Sequence, residues 1–299
     1  AEGRSVTVTQ PARARTGGGP LQARAEVVSI RPAGEYVLLT LGAPGVAERT
    51  QPGQFAALAV GGPQSGMLLR RSFSIYRAGA EDDTVAIVFA VHGKGTAWLA
   101  GLRPGDPVDT VGPLGRSFAL PEQPAPCLLI AGGYGSAPMF GLAERLRERG
   151  CAVHMVLGAA SQPRLFGVDE AKRVADSVTV TTEDGSSGVR GLVTDVLPDL
   201  VSRTGARAFY ACGPMGMLRA VAAVAERHEV PSQCAVEEAM ACGVGVCMTC
   251  VLPVVGDDGR TRMMRSCVDG PVFEGDRVRW GAVGTIPEDT VGAPVGGGH

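Results

Sequence analysis

Short runs of apolar residues, separated by turn residues, dominate the first third of the chain. Runs such as EYVLLTL and TVAIVFAV, with Gly, Pro and Asp between them, are typical of β-strands. Five such runs lie at short spacing within residues 21–121, which predicts a small antiparallel barrel. In this region only GTAWLAGL has the pattern of a helix, and RPGDPVDTVGPLG is rich in turn residues.

The pattern changes after the proline-rich segment PEQPAP. Short apolar runs such as CLLIAGG and AVHMVLGAA now alternate with amphipathic segments. One of these, APMFGLAERLRERG, has Pro138 near its start and Gly150 at its end, as helices commonly do. Strands that alternate with helices predict an open α/β domain, here with about four parallel strands.

The predicted fold is a multi-domain α+β protein with three folded parts. An antiparallel β-barrel is expected over residues 21–122, and an α/β domain with a parallel sheet over 123–231. The segment 232–285 is rich in cysteine and loops, so a small C-terminal domain is expected there. Residues 1–20 are predicted to be a disordered leader, and residues 286–299 a flexible tail.

Composition and charge narrow the classes of partner and compartment. A net charge of −2 gives no indication of a nucleic acid or an acidic membrane surface as a partner. No apolar run approaches the roughly 20 residues that span a bilayer. The first residues lack the apolar core of a signal peptide. We therefore expect a cytoplasmic protein, in which clustered cysteines bind metal more often than they form disulfides.

The segment MACGVGVCMTC holds three cysteines, and a fourth follows after sixteen further residues. The spacing C-x4-C-x2-C…C is that of a plant-type [2Fe–2S] cluster. Gly243 and Gly245 would let the loop bend closely around two irons and direct N–H groups at sulfur. Zinc, which prefers two C-x2-C knuckles, and structural thiols are the alternatives. The predicted metal ligands are Cys242, Cys247, Cys250 and Cys267.

Two further segments predict a nucleotide crevice in the α/β domain. IAGGYGSAPMF follows a strand and opens a helix, an arrangement in which glycines admit a pyrophosphate to the backbone. Pro138 replaces the third glycine of the usual fingerprint, so a plain strand–helix turn is the alternative. YACGPMGML ends a later strand, and its thiol is a candidate neighbour of a nicotinamide ring or else a buried cysteine before a turn. The candidate residues are Gly133, Gly135, Cys212, Gly213 and Pro214.

The choice between NADH and NADPH is left open by the sequence. Ser161 and Arg164, which follow the second strand of the α/β part, are candidates for binding a 2′-phosphate. An ordinary solvated loop is the alternative for Arg164. Asp184 and Gly185 end another strand and either serve the crevice or form the turn.

In the barrel, LRRSFSIYR and HGKGTAW combine features suited to a flavin nucleotide. They supply a fixed cation, hydroxyl groups, an aromatic ring and unhindered backbone near a helix start. The candidates are Arg71, Ser72, Phe73, Ser74, Gly95 and Thr96.

The order of these motifs resembles that of the ferredoxin-reductase superfamily. More narrowly, it resembles the electron-transfer subunits of class 1B dihydroorotate dehydrogenase. The likeness covers residues 21–280 and is most specific in EEAMACGVGVCMTCVLPV and RSCVDGPVFEGDRV. The resemblance implies FAD, a [2Fe–2S] cluster on the four cysteines and NAD(H) in the crevice. It adds Val88, Phe89 and Ala90 to the FAD contacts. Ser72 stands where the family often has Pro, but Arg71 and Ser74 still supply the polar contacts to the flavin.

The resemblance also implies a function. It implies an oxidoreductase subunit that passes electrons to NAD+ through a [2Fe–2S] cluster and FAD. The electrons would come from an FMN-containing dihydroorotate dehydrogenase catalytic subunit of pyrimidine biosynthesis. The two kinds of subunit would form a heterotetramer. About four parallel strands are too few for the eight-stranded barrel that would host FMN. The alternatives are the small subunit of a bifurcating NADH-dependent ferredoxin:NADP oxidoreductase, a stand-alone NAD(P)H reductase, or a zinc-stabilised nucleotide sensor.

Overall fold

The structure, a computed structural model, describes residues 19–62 and 65–293. Most of the predicted leader and the end of the predicted tail, residues 1–18 and 294–299, lie outside this part. The described start of that tail is attached to the body of the protein, because Thr290 bridges to Thr261 and Val291 N–H donates to the Thr261 carbonyl. No helix of the described chain has the length and apolar character needed to cross a membrane.

The N-terminal part is a closed barrel of six antiparallel strands in the order β1-β2-β5-β4-β3-β6. Successive side chains of a strand point to opposite faces, so alternate residues fill the interior. Leu39, Leu41, Ile87 and Phe89 are each at most 2% exposed and pack together there. The strands are β1 (Leu21–Ala33), β2 (Tyr36–Gly42), β3 (Phe55–Leu58), β4 (Arg71–Gly79), β5 (Thr84–Phe89) and β6 (Pro107–Leu114). Helix α1 (Lys94–Ala100) lies between β5 and β6 in the chain.

The sixth strand corrects the sequence prediction, which assigned this segment to turns. β6 pairs with both β1 and β3 and so closes the barrel. Val108 and Thr110 of β6 are each 1% exposed, which shows the alternation of a strand. Proline and glycine, which usually lie at strand edges, are placed within β6 and concealed this pattern.

The second sheet has seven strands in the order β10-β9-β8-β7-β11-β12-β15. The six strands β7, β8, β9, β10, β11 and β12 are all parallel, whereas β15 is antiparallel to β12. Helices cover both faces, since Leu129 of β7 packs with α2 while Ile130 packs with α4 and α5. The elements are β7 (Cys127–Gly132), α2 (Ala137–Glu148), β8 (Val153–Ala159), α3 (Val168–Val174), β9 (Ser177–Thr182), β10 (Val189–Arg190), α4 (Val193–Thr204), β11 (Ala208–Cys212), α5 (Met215–Arg227), β12 (Ser232–Ala235) and β15 (Val272–Glu274).

The cysteine-rich segment shares this sheet. β12 and β15 both belong to residues 232–285, and between them lies a hairpin of β13 (Val251–Val255) and β14 (Thr261–Arg265). Leu252 and Phe273 pack in the same cluster as Phe209 of β11. The expected four parallel strands are present as β7, β8, β9 and β11, and the predicted boundary at residue 231 stays a prediction. The overall class, a barrel followed by an α/β sheet and a cysteine-rich C-terminal part, is confirmed.

Candidate functional site

Three of the predicted metal ligands lie in a cysteine loop, residues 236–250, which has neither helix nor strand. The fourth, Cys267, lies in the turn after β14. Cys250 and Cys267 are each 2% exposed, whereas Cys247 faces solvent. All eight cysteines are free thiols, so the structure contains no disulfide.

The four thiols meet two by two. Cys242 lies beside Cys247, and Cys250 lies beside Cys267, so that the thiols of each pair influence each other's pKa. Burial, followed by the contact with Cys250, raises the pKa of Cys267 to about 12. In the described residues no group of three or more His, Cys, Asp or Glu is arranged to hold a single metal ion. Two pairs of thiols are the donor set of a binuclear cluster, in which each iron takes two.

Glycines give the cysteine loop its path. Gly243 and Gly245 have φ angles of +71° and +84°, which side chains other than glycine rarely adopt. A Cβ on Gly245 would lie 2.5 Å from Cγ2 of Val268. The loop can therefore fold closely onto the turn that carries Cys267 only if this residue is glycine.

Hydrogen bonds to sulfur favour the thiolate form within the cysteine loop. The Val246 N–H donates to Cys242 Sγ at 3.3 Å, and the Thr249 hydroxyl donates to Cys247 Sγ at 3.2 Å. The hydrogen bonds from Thr249 lower the pKa of Cys247 to about 6. Thiolates are the form that binds iron, so the loop prepares these sulfurs for metal.

Arg265 fastens the cysteine loop to the turn. Its Nη1 donates to the Gly245 carbonyl at 2.9 Å, and its Nε lies 3.3 Å from Oδ2 of Asp269. One guanidinium therefore connects both segments that carry the thiols.

The cysteine loop packs against the barrel strand predicted to bind flavin. A Cβ on Gly243 would lie 3.5 Å from Ser72 Oγ and 3.5 Å from the Ala57 Cβ. Ser72 belongs to β4 and Ala57 to β3. The first residues of β4 therefore lie next to the segment between the first two predicted cluster ligands.

Arg71 and Gly95, which are 24 positions apart, come together in the barrel. A Cβ on Gly95 would lie 2.9 Å from Arg71 Nε, so the guanidinium rests against this glycine. The Thr96 hydroxyl accepts the N–H groups of His92 and Gly93 at 2.9 and 3.1 Å. Thr96 thus shapes this loop, while the Arg71 cation and the glycine backbone lie side by side.

The other predicted flavin contacts differ in exposure. Val88 and Phe89 are 4% and 2% exposed, so their side chains belong to the core and only their backbone could meet a cofactor. The Phe73 ring packs on Phe89 with centroids 5.3 Å apart. Ser74 is exposed and Ala90 is half-buried. Ser74 and the backbone near Ala90 are therefore the accessible members of this set.

A crevice of about 490 Å³ opens at the carboxyl ends of the parallel strands. Gly133 and Pro214, two of the candidate residues, line it. A Cβ on Gly135 would lie 2.7 Å from the Cys212 carbonyl oxygen, and one on Gly213 would lie 3.0 Å from the Gly132 nitrogen. The glycines of both motifs thus let two backbone turns pack directly together at the base of the crevice.

Cys212 does not line this crevice. Its side chain is 2% exposed, and burial, followed by the charge of Glu237, raises the pKa of its thiol well above the usual range. The thiol therefore has no surface toward a bound nucleotide, which corresponds to the buried alternative. Its role beside a nicotinamide stays a prediction.

Glu237, Tyr36 and Tyr134 are among the crevice residues that were not predicted from the sequence. Glu237 lines one end, and burial raises the pKa of its carboxyl. Tyr36 and Tyr134 also line the crevice, with ring centroids 5.5 Å apart. Tyr36 comes from the barrel, so only tertiary packing brings it here. Glu237 and its neighbour Glu238 open the quoted segment EEAMACGVGVCMTCVLPV, but no spacing to another residue marks Glu237 as part of the crevice.

The far end of β4 joins the barrel to the α/β part. The Tyr76 hydroxyl donates to Glu170 Oε2 at 2.5 Å. Arg77 Nη1 donates to Glu144 Oε2 at 2.6 Å, and its Nη2 pairs with Glu170. Glu144 and Glu170 belong to α2 and α3, so a single strand contacts the cysteine loop at one end and the α/β domain at the other.

Family models match two parts of the chain. Residues 129–223 match an oxidoreductase NAD-binding domain. Residues 237–279 match the iron–sulfur cluster binding domain of dihydroorotate dehydrogenase B. The first match contains the crevice turns, and the second contains all four paired thiols.

A solved structure shares the whole fold. The structure reported for flavin-based electron bifurcation by an NADH-dependent reduced ferredoxin-NADP oxidoreductase matches with a TM-score of 0.77 and 31% identity. The match covers 90% of this chain and 93% of that one.

Curated relatives cover most of the chain as well. The electron transfer subunit of dihydroorotate dehydrogenase B (NAD(+)) from Geobacillus kaustophilus is 40% identical over 243 residues, which cover 80% of this chain and 91% of the relative. A probable electron transfer subunit of the same name from Methanopyrus kandleri is 36% identical over 270 residues, or 90% and 97% of the two chains. Identity at this level over nearly the whole length of both relatives, together with the matching iron–sulfur and NAD-binding domains, shows that the chain belongs to the family of dihydroorotate dehydrogenase B electron transfer subunits.

Proposed function

We propose that this chain carries electrons between a partner dehydrogenase subunit and NAD+, with a [2Fe–2S] cluster and FAD as its resident groups. The observation that carries the proposal is the position of β4. Ser72 at its start lies next to the cysteine loop, and Arg77 near its end binds α2 and α3 of the domain that holds the crevice. The predicted flavin strand therefore lies between the two places where electrons would enter and leave.

The residues present fit a binuclear cluster. Cys242 with Cys247, and Cys250 with Cys267, supply two pairs of sulfurs, and N–H and hydroxyl donors already point at two of them. Such donors stabilise added negative charge on sulfur and so favour the reduced form of a cluster.

The barrel residues fit a flavin nucleotide. The Arg71 guanidinium lies against the buried Gly95 at the start of α1, which places a cation at this turn of the barrel for pairing with a diphosphate. The exposed Ser74 hydroxyl and the backbone near Ala90 are free to orient a ring system. When bound, FAD supplies the chemistry that connects hydride exchange with a nicotinamide to one-electron exchange with an iron–sulfur cluster.

The crevice fits NAD(H). Gly133 and the turn packed on Gly213 bring backbone to the surface at the start of α2, and Tyr36 and Tyr134 close the crevice toward the barrel. The names of the relatives include NAD(+). The residues of this chain therefore bind and orient the dinucleotide, and no side chain acts as a general base in the proposal.

The proposed partner is an FMN-containing catalytic subunit that oxidises dihydroorotate in pyrimidine biosynthesis, within a cytoplasmic heterotetramer. The relatives' name, electron transfer subunit, supports a separate catalytic chain. Exposed apolar side chains on the cysteine loop also support it, since Val246 and Met248 are 79% and 51% exposed. A subunit docked there would cover the thiols and shorten the path of the electrons.

Anaerobic co-purification with the native partner tests this function. Iron, sulfide, FAD and FMN are measured on the complex, and NAD+ reduction is followed with dihydroorotate as the only electron donor. We expect about two irons and one FAD per copy of this chain, and activity only in the complex. A purified chain with neither flavin nor iron would exclude the proposal.

The likeness to the bifurcating oxidoreductase favours a second candidate, the small subunit of such an enzyme. Its partner would carry further iron–sulfur clusters and a second flavin. Identification of the co-purified partner by mass spectrometry separates the two functions. Dihydroorotate-dependent reduction of NAD+ supports the first, and NADPH-dependent reduction of ferredoxin supports the second.

A further inference from the structure

The proposed dinucleotide crevice has two distinct ends. It runs from Glu183, after β9, to Glu237, after β12. Neighbouring strands lie about 4.8 Å apart, so the four steps from β9 to β12 separate these ends by roughly 19 Å. In such sheets the pyrophosphate lies at the first strand–helix turn, here β7 to α2, and the adenosine ribose lies at the end of the second strand, here β8. The adenosine end is therefore the end with Glu183.

The end of β8 carries no charged side chain of its own. Gly158, Ala159 and Ala160 line the crevice there. Glu183 takes the adjacent place, because its N–H donates to the Ala159 carbonyl at 3.1 Å. An acidic residue that binds the ribose usually follows the second strand directly. In this chain the acidic residue instead follows the third strand, β9.

Glu183 differs from the acid that follows it. The Asp184 carboxylate accepts the N–H and hydroxyl of Ser186 at 2.9 and 2.6 Å, so it is occupied in the turn. Within the described residues no side chain pairs with the Glu183 carboxylate, which is exposed and lines the crevice. Its oxygens are free to accept hydrogen bonds from a ligand.

Arg164 is the single basic side chain that lines the crevice within the described residues. Its Nε lies 3.3 Å from Oε2 of Glu35, in the turn between β1 and β2 of the barrel. Its carbonyl accepts the hydroxyl of Tyr36 at 2.7 Å, which holds its backbone against the barrel. The barrel thus supplies a counter-charge for the basic side chain that lines the crevice.

We propose that Glu183 and Glu35 together select NAD(H) over NADP(H) in this crevice, an inference that rests on the proposed function. Glu183 accepts hydrogen bonds from the ribose hydroxyls and repels a phosphate in the same place. Glu35 pairs with Arg164, so that the cation lining the crevice compensates this repulsion less. Coenzyme selectivity therefore depends in part on a residue of the flavin-binding domain.

Isothermal titration of the purified holo-chain with NAD+ and with NADP+ tests this selection. We expect wild type to bind NAD+ at least about 100-fold more tightly than NADP+. Glu183→Gln should reduce this ratio of affinities about tenfold or more, chiefly through tighter NADP+ binding. Glu35→Gln should reduce the ratio about threefold, because the exposed ion pair with Arg164 is weak. Adding Arg164→Gln to Glu35→Gln should remove that gain. Glu226→Gln, an exposed change on α5, is the matched control and should leave the ratio unchanged.

Salt dependence gives a second readout that a purely structural effect would not produce. Repulsion of a phosphate by an exposed carboxylate is screened, so the wild-type preference should decrease between about 20 mM and about 500 mM salt. The preference of Glu183→Gln should change much less. If wild type binds NAD+ selectively and Glu183→Gln keeps the same ratio, the inference is wrong while the proposed function stands. If neither dinucleotide binds to wild type, the proposed function fails and the inference fails with it.

Discussion

The nucleotide crevice and the cysteine loop both depend on glycines, but for different reasons. In the crevice, Gly135 lies so close to the Cys212 carbonyl that a Cβ would come within 2.7 Å of it. In the cysteine loop, Gly243 and Gly245 have positive φ angles, so the conformation of each residue is the constraint. The first site is shaped by contact between two distant turns, and the second by the local path of one segment.

The two regions also differ in what supports them. The crevice lies on β7, whose Leu129 and Ile130 are fully buried between helices on both faces. The cysteine loop has no regular structure and exposes Val246 to solvent. The crevice should therefore keep its shape without a ligand, whereas the loop should become ordered through the group its thiols bind. Four substitutions test this difference, in order of expected effect.

Replacing Cys267 by Ser should abolish cluster binding. One iron would then have a single protein thiolate, so iron content should fall from about two per chain to almost none. Iron and sulfide analysis and the visible spectrum measure this, and FAD content should be unchanged because the barrel is not altered. Cys234→Ala, which removes a buried thiol of β12, is the control and should keep full iron. Stoichiometric iron in the Cys267 variant would contradict the ligand assignment.

Replacing Gly135 by Ala should weaken NAD+ binding about tenfold to 100-fold and destabilise the fold by about 1–3 kcal/mol. The new methyl group would clash with the backbone of Cys212 and Gly213, which can move only if the whole turn shifts. Titration calorimetry and urea unfolding measure the two effects. Gly141→Ala, in the same helix-forming segment, is the control, since its Cβ would meet only Pro52 Cγ at 3.8 Å. It should leave NAD+ affinity intact and stabilise the fold by up to about 1 kcal/mol. Equal affinity in both variants would show that the close approach does not shape the crevice.

Replacing Arg265 by Gln should loosen the cysteine loop without removing a ligand. The variant loses the donor to the Gly245 carbonyl and the pair with Asp269. We expect iron to leave for an external chelator about three to ten times faster, with NAD+ affinity unchanged. Arg262→Gln removes an exposed pair with Asp258 in the neighbouring hairpin and serves as the control. Identical release rates would mean that the loop is held by its ligands alone.

Replacing Glu237 by Gln should have the smallest effect, and it should depend on pH. Burial raises the pKa of this carboxyl above its usual 4.5, so the folded protein holds the proton to higher pH than the unfolded chain. Wild type therefore loses stability as the pH rises from about 4.5 through the folded pKa, and the glutamine variant does not. The variant's urea midpoint should exceed that of wild type by a few tenths molar at pH 8 and match it at the acidic limit. A difference that does not vary with pH would exclude this explanation, and Glu226→Gln provides the exposed reference.

Much of the fold was predictable because its signals are local. The spacing of the first three cysteines, the alternation of EYVLLTL and the helix boundaries of α2 each depend on residues that are close together in the sequence. The same locality explains one failure. Proline and glycine within β6 suggested turns, and only the pairing with β1 and β3 made that segment a strand.

The sequence by itself determined which groups are available: four thiols at cluster spacing, an arginine and serines on a barrel strand, and two glycine turns that follow strands. Tertiary structure decided which of them face a ligand. It buried Cys212, brought Tyr36 from the barrel to the crevice, paired Glu35 of the barrel with Arg164, and placed Glu183 beside a strand other than its own. The physical reason is that ligand spacing is a property of a short segment, whereas a crevice is formed by side chains that only packing between distant segments brings together.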